Sequence, residues 1–283
     1  MNAMQEALDA LGERAKQNIP IVEGDYIGEN GLYYCGKCNT PKQTRIINPF
    51  TGEENLRHCI CKCRQEQFER EEAERQRVVF EKRVKELRRV GFPDDEMKNW
   101  TFDKDDHANE HISKVARNYV DNFDKMLADG KGLLLYGNVG TGKTFAAACI
   151  VNALIDKGRP CLITNFDRIR NTLFGMYDGK QQYIDGFNRF ALLVIDDLES
   201  ESKTKDMDGI IYNIIDSRYR AGLPLIITTN LTGAELKQPA DIQKQRIYSR
   251  LFEQCIPLEV KGADRRREKL KNDVKAYADI LGL

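Results

Sequence analysis

The sequence predicts an α/β fold: a parallel sheet flanked by helices, preceded by a small helix-rich module that carries a cysteine cluster. Three observations lead to it. Five of the eight cysteines fall within 29 residues, from Cys35 to Cys63. From Lys131 onward, short apolar runs alternate with helical patterns, the mark of a sheet built from strand–helix–strand units. The first of those runs leads through a glycine-rich loop into an alanine-rich helix. A length of 283 residues allows one large domain or two modest ones, and the pattern divides into residues 1–90 and 91–283.

Composition narrows the classes. The 44 basic and 44 acidic side chains cancel, which excludes a globally basic nucleic-acid binder and leaves only local patches. No apolar run approaches the roughly 20 residues of a membrane span, so no membrane role is expected. The opening MNAMQEALDALGERAKQNIP is a helical pattern of mixed charge without an apolar signal core. The expected compartment is the cytoplasm, where cysteines stay reduced and serve as metal ligands or core fillers.

The cysteine cluster opens with YYCGKCNTPK, a C-x2-C knuckle that turns the thiols of Cys35 and Cys38 toward one point. The return half, RHCICKC, follows about 20 residues later, a separation that matches a four-ligand zinc site. Its second pair comes from Cys59, Cys61 and Cys63, with His58 a further candidate, and spacing does not choose among them. RIINPFTGEEN between the halves suits a short hairpin. A redox C-x2-C is the alternative chemistry, but its expected βαβ setting is missing. Four thiolate ligands leave no open position, so the zinc would be structural. Cys149, Cys161 and Cys255 sit in apolar runs and read as buried fillers.

A charged helix comes next. Residues 64–89 contain no Gly or Pro, and 16 of the 26 are charged. Phe80, Val84 and Leu87 form a sparse apolar stripe at helical spacing. A solvated linker is the ordinary reading and a partner-binding helix the sharper one. Gly91 and Pro93 then break it.

The strand Leu133–Tyr136 runs into Gly137, Asn138, Val139, Gly140, Thr141, Gly142, Lys143 and Thr144, the pattern G-x-x-x-x-G-K-T in its strand–loop–helix setting. Such glycines let backbone N–H groups approach phosphate oxygens, and the helix N-terminus adds its dipole. Lys143 is placed for the β- and γ-phosphates of ATP, and Thr144 for Mg2+. A second strand, residues 191–195, ends in Asp196 and Asp197. A carboxylate there points into the crevice where open sheets bind ligands. Asp196 is therefore the expected magnesium residue, and Asp197 the group that orients or deprotonates water. Many such ATPases carry Glu at the second position, and Glu199 and Glu201 are nearby alternatives. The strand 223–230 ends in Asn230, whose amide can position that water. In RIYSRLF, Arg246 and Arg250 lie four residues apart on one helical face. They read as solvated surface or as an arginine supplied to a neighbouring subunit's nucleotide. Arg265, Arg266 and Arg267 open the last helix, and one of them can reach the nucleotide of its own subunit.

These elements together resemble the AAA+ ATPases, and most closely the DnaC/DnaI-like replicative helicase loaders and their IstB-like relatives. The resemblance covers about residues 85–280 and rests on GNVGTGKT, LLVIDDLES, IITTN, IYSRLFEQC and GADRRRE in that order. The cysteine-rich segment is similar to that of prophage-type members. The resemblance implies an AAA+ P-loop NTPase core behind a small zinc-binding, helix-rich N-terminal domain that engages the partner. It also implies roles: Lys143 and Thr144 for phosphate and magnesium, Asp196 and Asp197 as the second motif, Asn230 as first sensor, Arg250 as trans-acting finger and Arg266 as second sensor, with Arg265 competing. The segment 164–179 falls where such proteins insert a helical element that touches single-stranded DNA, with Arg168, Arg170 and Phe174 as contacts. The implied function is ATP-dependent loading of the replicative hexameric helicase, with ATP hydrolysis and self-association through ATP-bridged interfaces. The alternatives are a transposition helper ATPase of the IstB type and a zinc-stabilised ATP-binding adaptor with little turnover.

Overall fold

A computed structural model describes residues 22–49, 52–198, 205–239 and 241–282. The opening helical pattern lies outside them. By packing alone the chain divides into two compact units, residues 1–79 and 80–283.

The first unit holds two small antiparallel pairs. Strand β1 (Tyr26–Ile27) pairs with β2 (Tyr33–Tyr34), and β3 (Gln43–Ile47) with β4 (Glu54–His58). The second pair is the hairpin expected around RIINPFTGEEN. Its register runs from Gln43 opposite His58 to Ile47 opposite Glu54. Gly36, inside the first cysteine pair, has no substitute, because a Cβ there would lie 1.9 Å from the Gly24 carbonyl oxygen.

Helix α1 spans Lys62–Gly91 and ends at the expected breaker. Phe80, Val84 and Leu87 belong to the second unit: Phe80 lies against Gly158, and the other two pack on the buried core. This packing explains why the sparse stripe starts where it does.

The second unit is a five-stranded sheet in the order β6-β7-β8-β5-β9, with every pairing parallel. The strands are β5 (Gly132–Tyr136), β6 (Cys161–Asn165), β7 (Leu192–Leu198), β8 (Leu225–Thr229) and β9 (Cys255–Glu259). Both faces are covered, which is why the central strands read as unbroken apolar runs rather than alternating ones. Alternation reappears in the packing. Leu133, Leu135, Leu192, Val194 and Ile226 enter one core, whereas Leu134, Leu193, Ile195, Leu225 and Ile227 enter the other.

Helices α2 (Glu110–Asp121), α3 (Phe123–Ala128) and α4 (Lys143–Asp156) cover the first face. The second face takes α5 (Phe166–Phe174), α6 (Lys180–Asp185), α7 (Lys205–Arg220), α8 (Gly233–Lys237) and α9 (Ile242–Gln254). The last helix, α10, spans Arg265–Leu281. Strand β9 was not expected from sequence. Among the described residues it pairs only with β5; it carries Pro257 and leaves Ile256 and Glu259 exposed, as suits an edge.

Arg218 on α7 is wholly buried and meets no carboxylate among the described residues. Its Nη1 donates to the carbonyls of Phe190 at 2.8 Å and Phe187 at 3.2 Å, and its Nη2 to those of Pro224 at 2.6 Å and Ala191 at 3.5 Å. Burial lowers its pKa to about 10.

Candidate functional site

The loop between β5 and α4 is built on three left-handed glycines: Gly137 at φ 126°, Gly140 at 77° and Gly142 at 94°. At Gly140 a Cβ would fall 2.0 Å from Asp264 Oδ1, so the loop closes there against the start of α10. The Arg265 N–H donates to the Gly140 carbonyl at 3.1 Å and fastens the same junction.

Lys143 points back into the loop it ends. Its Nζ donates to the carbonyls of Asn138 at 2.7 Å and Gly137 at 2.8 Å, and to Asn230 Oδ1 at 2.9 Å. Burial draws its pKa below the ordinary value; Asp197 and Asp196 oppose that, and Arg266 adds to it. Thr144 Oγ1 donates to Asp196 Oδ1 at 2.8 Å, and Thr228 Oγ1 to the same oxygen at 2.6 Å. Octahedral magnesium with Mg–O near 2.1 Å has oxygens about 3 Å apart along each edge. Thr144 and Asp196 therefore fit as neighbouring ligands.

Asp197 adopts φ 56°, unusual outside glycine, at the point where the β7–β8 register shifts between Ile195 and Leu198. Its N–H donates to Thr228 Oγ1 at 2.8 Å, and its Oδ1 accepts from Asn230 Nδ2 at 2.9 Å. The bulge lets consecutive carboxylates turn to different partners. Asn230 thus spans Lys143 and Asp197. Glu199 and Glu201 lie outside the described residues.

Around these groups lies a cleft of about 260 Å³ lined by Trp100, Lys143, Thr144, Asp196, Asn230 and both Arg265 and Arg266, among others. Arg265 is tied to Asp106 at 2.5 Å. Sequence reasoning missed Trp100, Thr228 and Asp106. Trp100 had one signal, being the chain's single tryptophan and sitting in the breaker segment.

Arg250 does not line this cleft. It sits on α9 against α7, with Nε 3.6 Å from Asp216, Nη1 3.3 Å from Glu253 and the guanidinium 4.4 Å from the centre of the Tyr219 ring. On α5, Arg168 pairs with Asp94 at 2.7 Å and Arg170 with Asp167 at 3.0 Å. Phe174 is 65% exposed, and Tyr177 beyond it is fully exposed.

In the first unit Cys35, Cys38, Cys61 and Cys63 converge, their sulfurs all within 4.8 Å of one another. Cys63 Sγ lies 3.5 Å from that of Cys61 and 3.6 Å from that of Cys35. Zn–S bonds of about 2.3 Å place tetrahedral sulfurs about 3.8 Å apart, so this donor set fits zinc. Cys59 turns away and donates to the Pro41 carbonyl at 3.3 Å; neither it nor His58 is in the group. The Thr40 hydroxyl draws Cys38 down to about 6, whereas the hydrogen bond with Cys61 pushes Cys63 up to about 12.

The family described as IstB-like ATP binding protein matches residues 62–273. The replicative helicase loader DnaI of Bacillus subtilis is 25% identical over 169 residues, 56% of this chain and 53% of that protein. The replicative helicase loader DnaC of Escherichia coli K12 is 28% identical over 140 residues, 48% of this chain and 55% of that protein. The chain thus spans about half the length of the curated relatives it matches. The crystal structure of a DnaC helicase loader superposes with a TM-score of 0.50 at 26% identity, covering 59% of this chain and all of that one. The five-stranded parallel sheet flanked by helices is the AAA+ P-loop core, and the cysteine cluster of the first unit could hold a metal.

Proposed function

Because the chain belongs to the IstB-like ATP binding proteins, we propose that it is an ATP-driven loader of a replicative DNA helicase. The observation that supports this best is the joined set of Lys143, Thr144, Asp196, Asp197 and Asn230 at the mouth of the sheet. The names of the relatives point the same way.

In this reading the loop N–H groups of residues 137–144 and the Lys143 ammonium bind the ATP phosphates. To do so, Lys143 exchanges its bonds to Gly137, Asn138 and Asn230 for phosphate oxygens. Thr144 and Asp196 hold Mg2+, which supplies positive charge to the β- and γ-phosphates. Asp197 takes a proton from the attacking water, and Asn230 fixes where that water sits. Arg266, at the cleft, contacts the nucleotide of its own subunit. Arg250, away from the cleft, serves the nucleotide of an adjacent copy. The four converging cysteines hold zinc and keep the N-terminal module folded. The exposed Phe174 and Tyr177 offer stacking faces to single-stranded DNA. In this reading the loader works in the cytoplasm, where a replicative helicase meets DNA. No helix among the described residues is long and apolar enough to cross a membrane.

The test is steady-state ATP turnover with and without single-stranded DNA. Lys143→Ala is expected to lower turnover by about 10²-fold or more, the usual loss when a charge-stabilising group is removed, and Arg250→Ala to lower it as well. Background-level turnover in the wild type, unmoved by either change, defeats the enzyme reading. A relative named as a putative ATP-binding protein in an insertion sequence favours one second reading, a transposition helper. Affinity capture separates the two: a hexameric helicase supports loading, and a transposase supports the helper.

A further inference from the structure

This inference rests on the reading above, in which Arg250 serves a neighbouring subunit's nucleotide, and concerns how the chain holds that arginine. The guanidinium lies over the Tyr219 ring at 4.4 Å. Asp216 at 3.6 Å and Glu253 at 3.3 Å flank it. The Tyr219 hydroxyl donates to the Glu253 carboxylate, so one side chain both supports the arginine and steers its partner. Asp216 is itself fixed by Arg220 at 3.0 Å. Lys131, just before β5, donates to the Glu253 carbonyl at 2.5 Å and anchors the end of α9.

The restraint does not cover the group: the Arg250 side chain keeps 34% of its surface exposed. A surface ion pair by itself contributes little to stability. Here groups from two helices restrain one guanidinium and leave it accessible, which is the arrangement needed to present it. A free arginine must give up rotamer entropy when it is fixed; one already held against a ring has surrendered part of that. Glu253 is held below the ordinary carboxylate range by the Tyr219 hydroxyl, so it stays ionised while it flanks the arginine.

We propose that Tyr219 is a positioning residue: stacked on Arg250 and bonded to Glu253, it presents the guanidinium to the nucleotide bound by an adjacent copy of the chain.

The experiment uses the full-length protein and three readouts: ATP turnover, affinity for a fluorescent ATP analogue, and melting temperature. Tyr219→Leu removes ring and hydroxyl together. It is expected to lower turnover about fivefold, the equivalent of about 1 kcal/mol for a lost cation–π contact. ATP affinity should not change, since Tyr219 does not line its own subunit's cleft. Tyr219→Phe keeps the ring and should retain at least half of the turnover. Subunit mixing adds a readout that a purely structural role would not move. Copies carrying Lys143→Ala supply Arg250 but no working site of their own. Added to wild type, they should support more turnover per wild-type site than copies carrying Lys143→Ala with Tyr219→Leu.

Equal support from both donors overturns the proposal. So does wild-type turnover by Tyr219→Leu when Arg250→Ala is impaired, and that outcome leaves the trans-acting arginine standing. Wild-type turnover by Arg250→Ala overturns the underlying reading itself. If Tyr219→Leu melts early, Tyr219→Met, which keeps bulk without an aromatic face, is judged by the same outcomes.

Discussion

Cys59 and Cys61 are two residues apart, yet only Cys61 turns its thiol to the cluster. If the four converging thiols hold zinc, full-length protein should carry about one zinc per chain, as a closed four-sulfur site does. Cys59→Ser should keep that content, and Cys61→Ser should lose most of it. Elemental analysis of the purified variants decides; equal loss from both would show that the ligand set is wrong. Spacing left this choice open because it reports separation along the chain and not the direction a side chain takes. The loop residues were legible for the opposite reason. In GNVGTGKT the glycine positions and the lysine follow from one local backbone path, so the pattern carries its own geometry. Asp106 and Thr228 were not legible, because their roles depend on partners far off in sequence: Arg265 and Asp196.

Among the elements, α7 illustrates what a pattern conceals. Its Arg218 stands in the segment DSRYR between charged Asp216 and Arg220, but the side chain is buried and bonds to four carbonyls. Replacing it with leucine takes a donor from each of those carbonyls, of which the Phe187 carbonyl still accepts from the Phe190 N–H. Arg218→Leu is expected to cost about 3 kcal/mol, since each unsatisfied buried group costs about 1–3. For a unit of this size that lowers the melting temperature by roughly 6–12 °C, which calorimetry can measure; an unchanged melting point would mean the carbonyls find other donors. The central strands were readable because burial on both faces writes them as unbroken apolar runs. Strand β9 was not, because it is an edge with Pro257 and exposed side chains, and only its partner β5 makes it a strand. The end of α1 was readable from Gly91, where close approach excludes a side chain: a Cβ would lie 2.7 Å from Ile155 Cδ1.

At the scale of the whole molecule, zero net charge conceals a division of labour. The arginines that line the cleft, Arg265 and Arg266, are on α10, while Arg250 is on α9 and does not line it. In the proposed reading, one pair of arginines serves the chain's own nucleotide and another arginine serves that of an adjacent copy, which calls for the chain to work beside a copy of itself. Which partner such an assembly would load was legible only through resemblance, because a partner's surface leaves no fixed spacing in the sequence that meets it.

The position of Trp100 has an optical consequence. The protein has a single indole, and it lines the cleft beside Lys143 and Arg266. Emission excited at the red edge of protein absorbance therefore comes from one place, and that place borders the proposed ATP site. Titrating magnesium and ATP into unlabelled protein should change the intensity or wavelength of this emission, and Lys143→Ala should shift the response to higher nucleotide concentration. Flat emission across a range in which binding is seen by calorimetry would place the nucleotide away from Trp100. The chain thus carries its own fluorophore at the proposed site, where occupancy can be followed without attaching a dye.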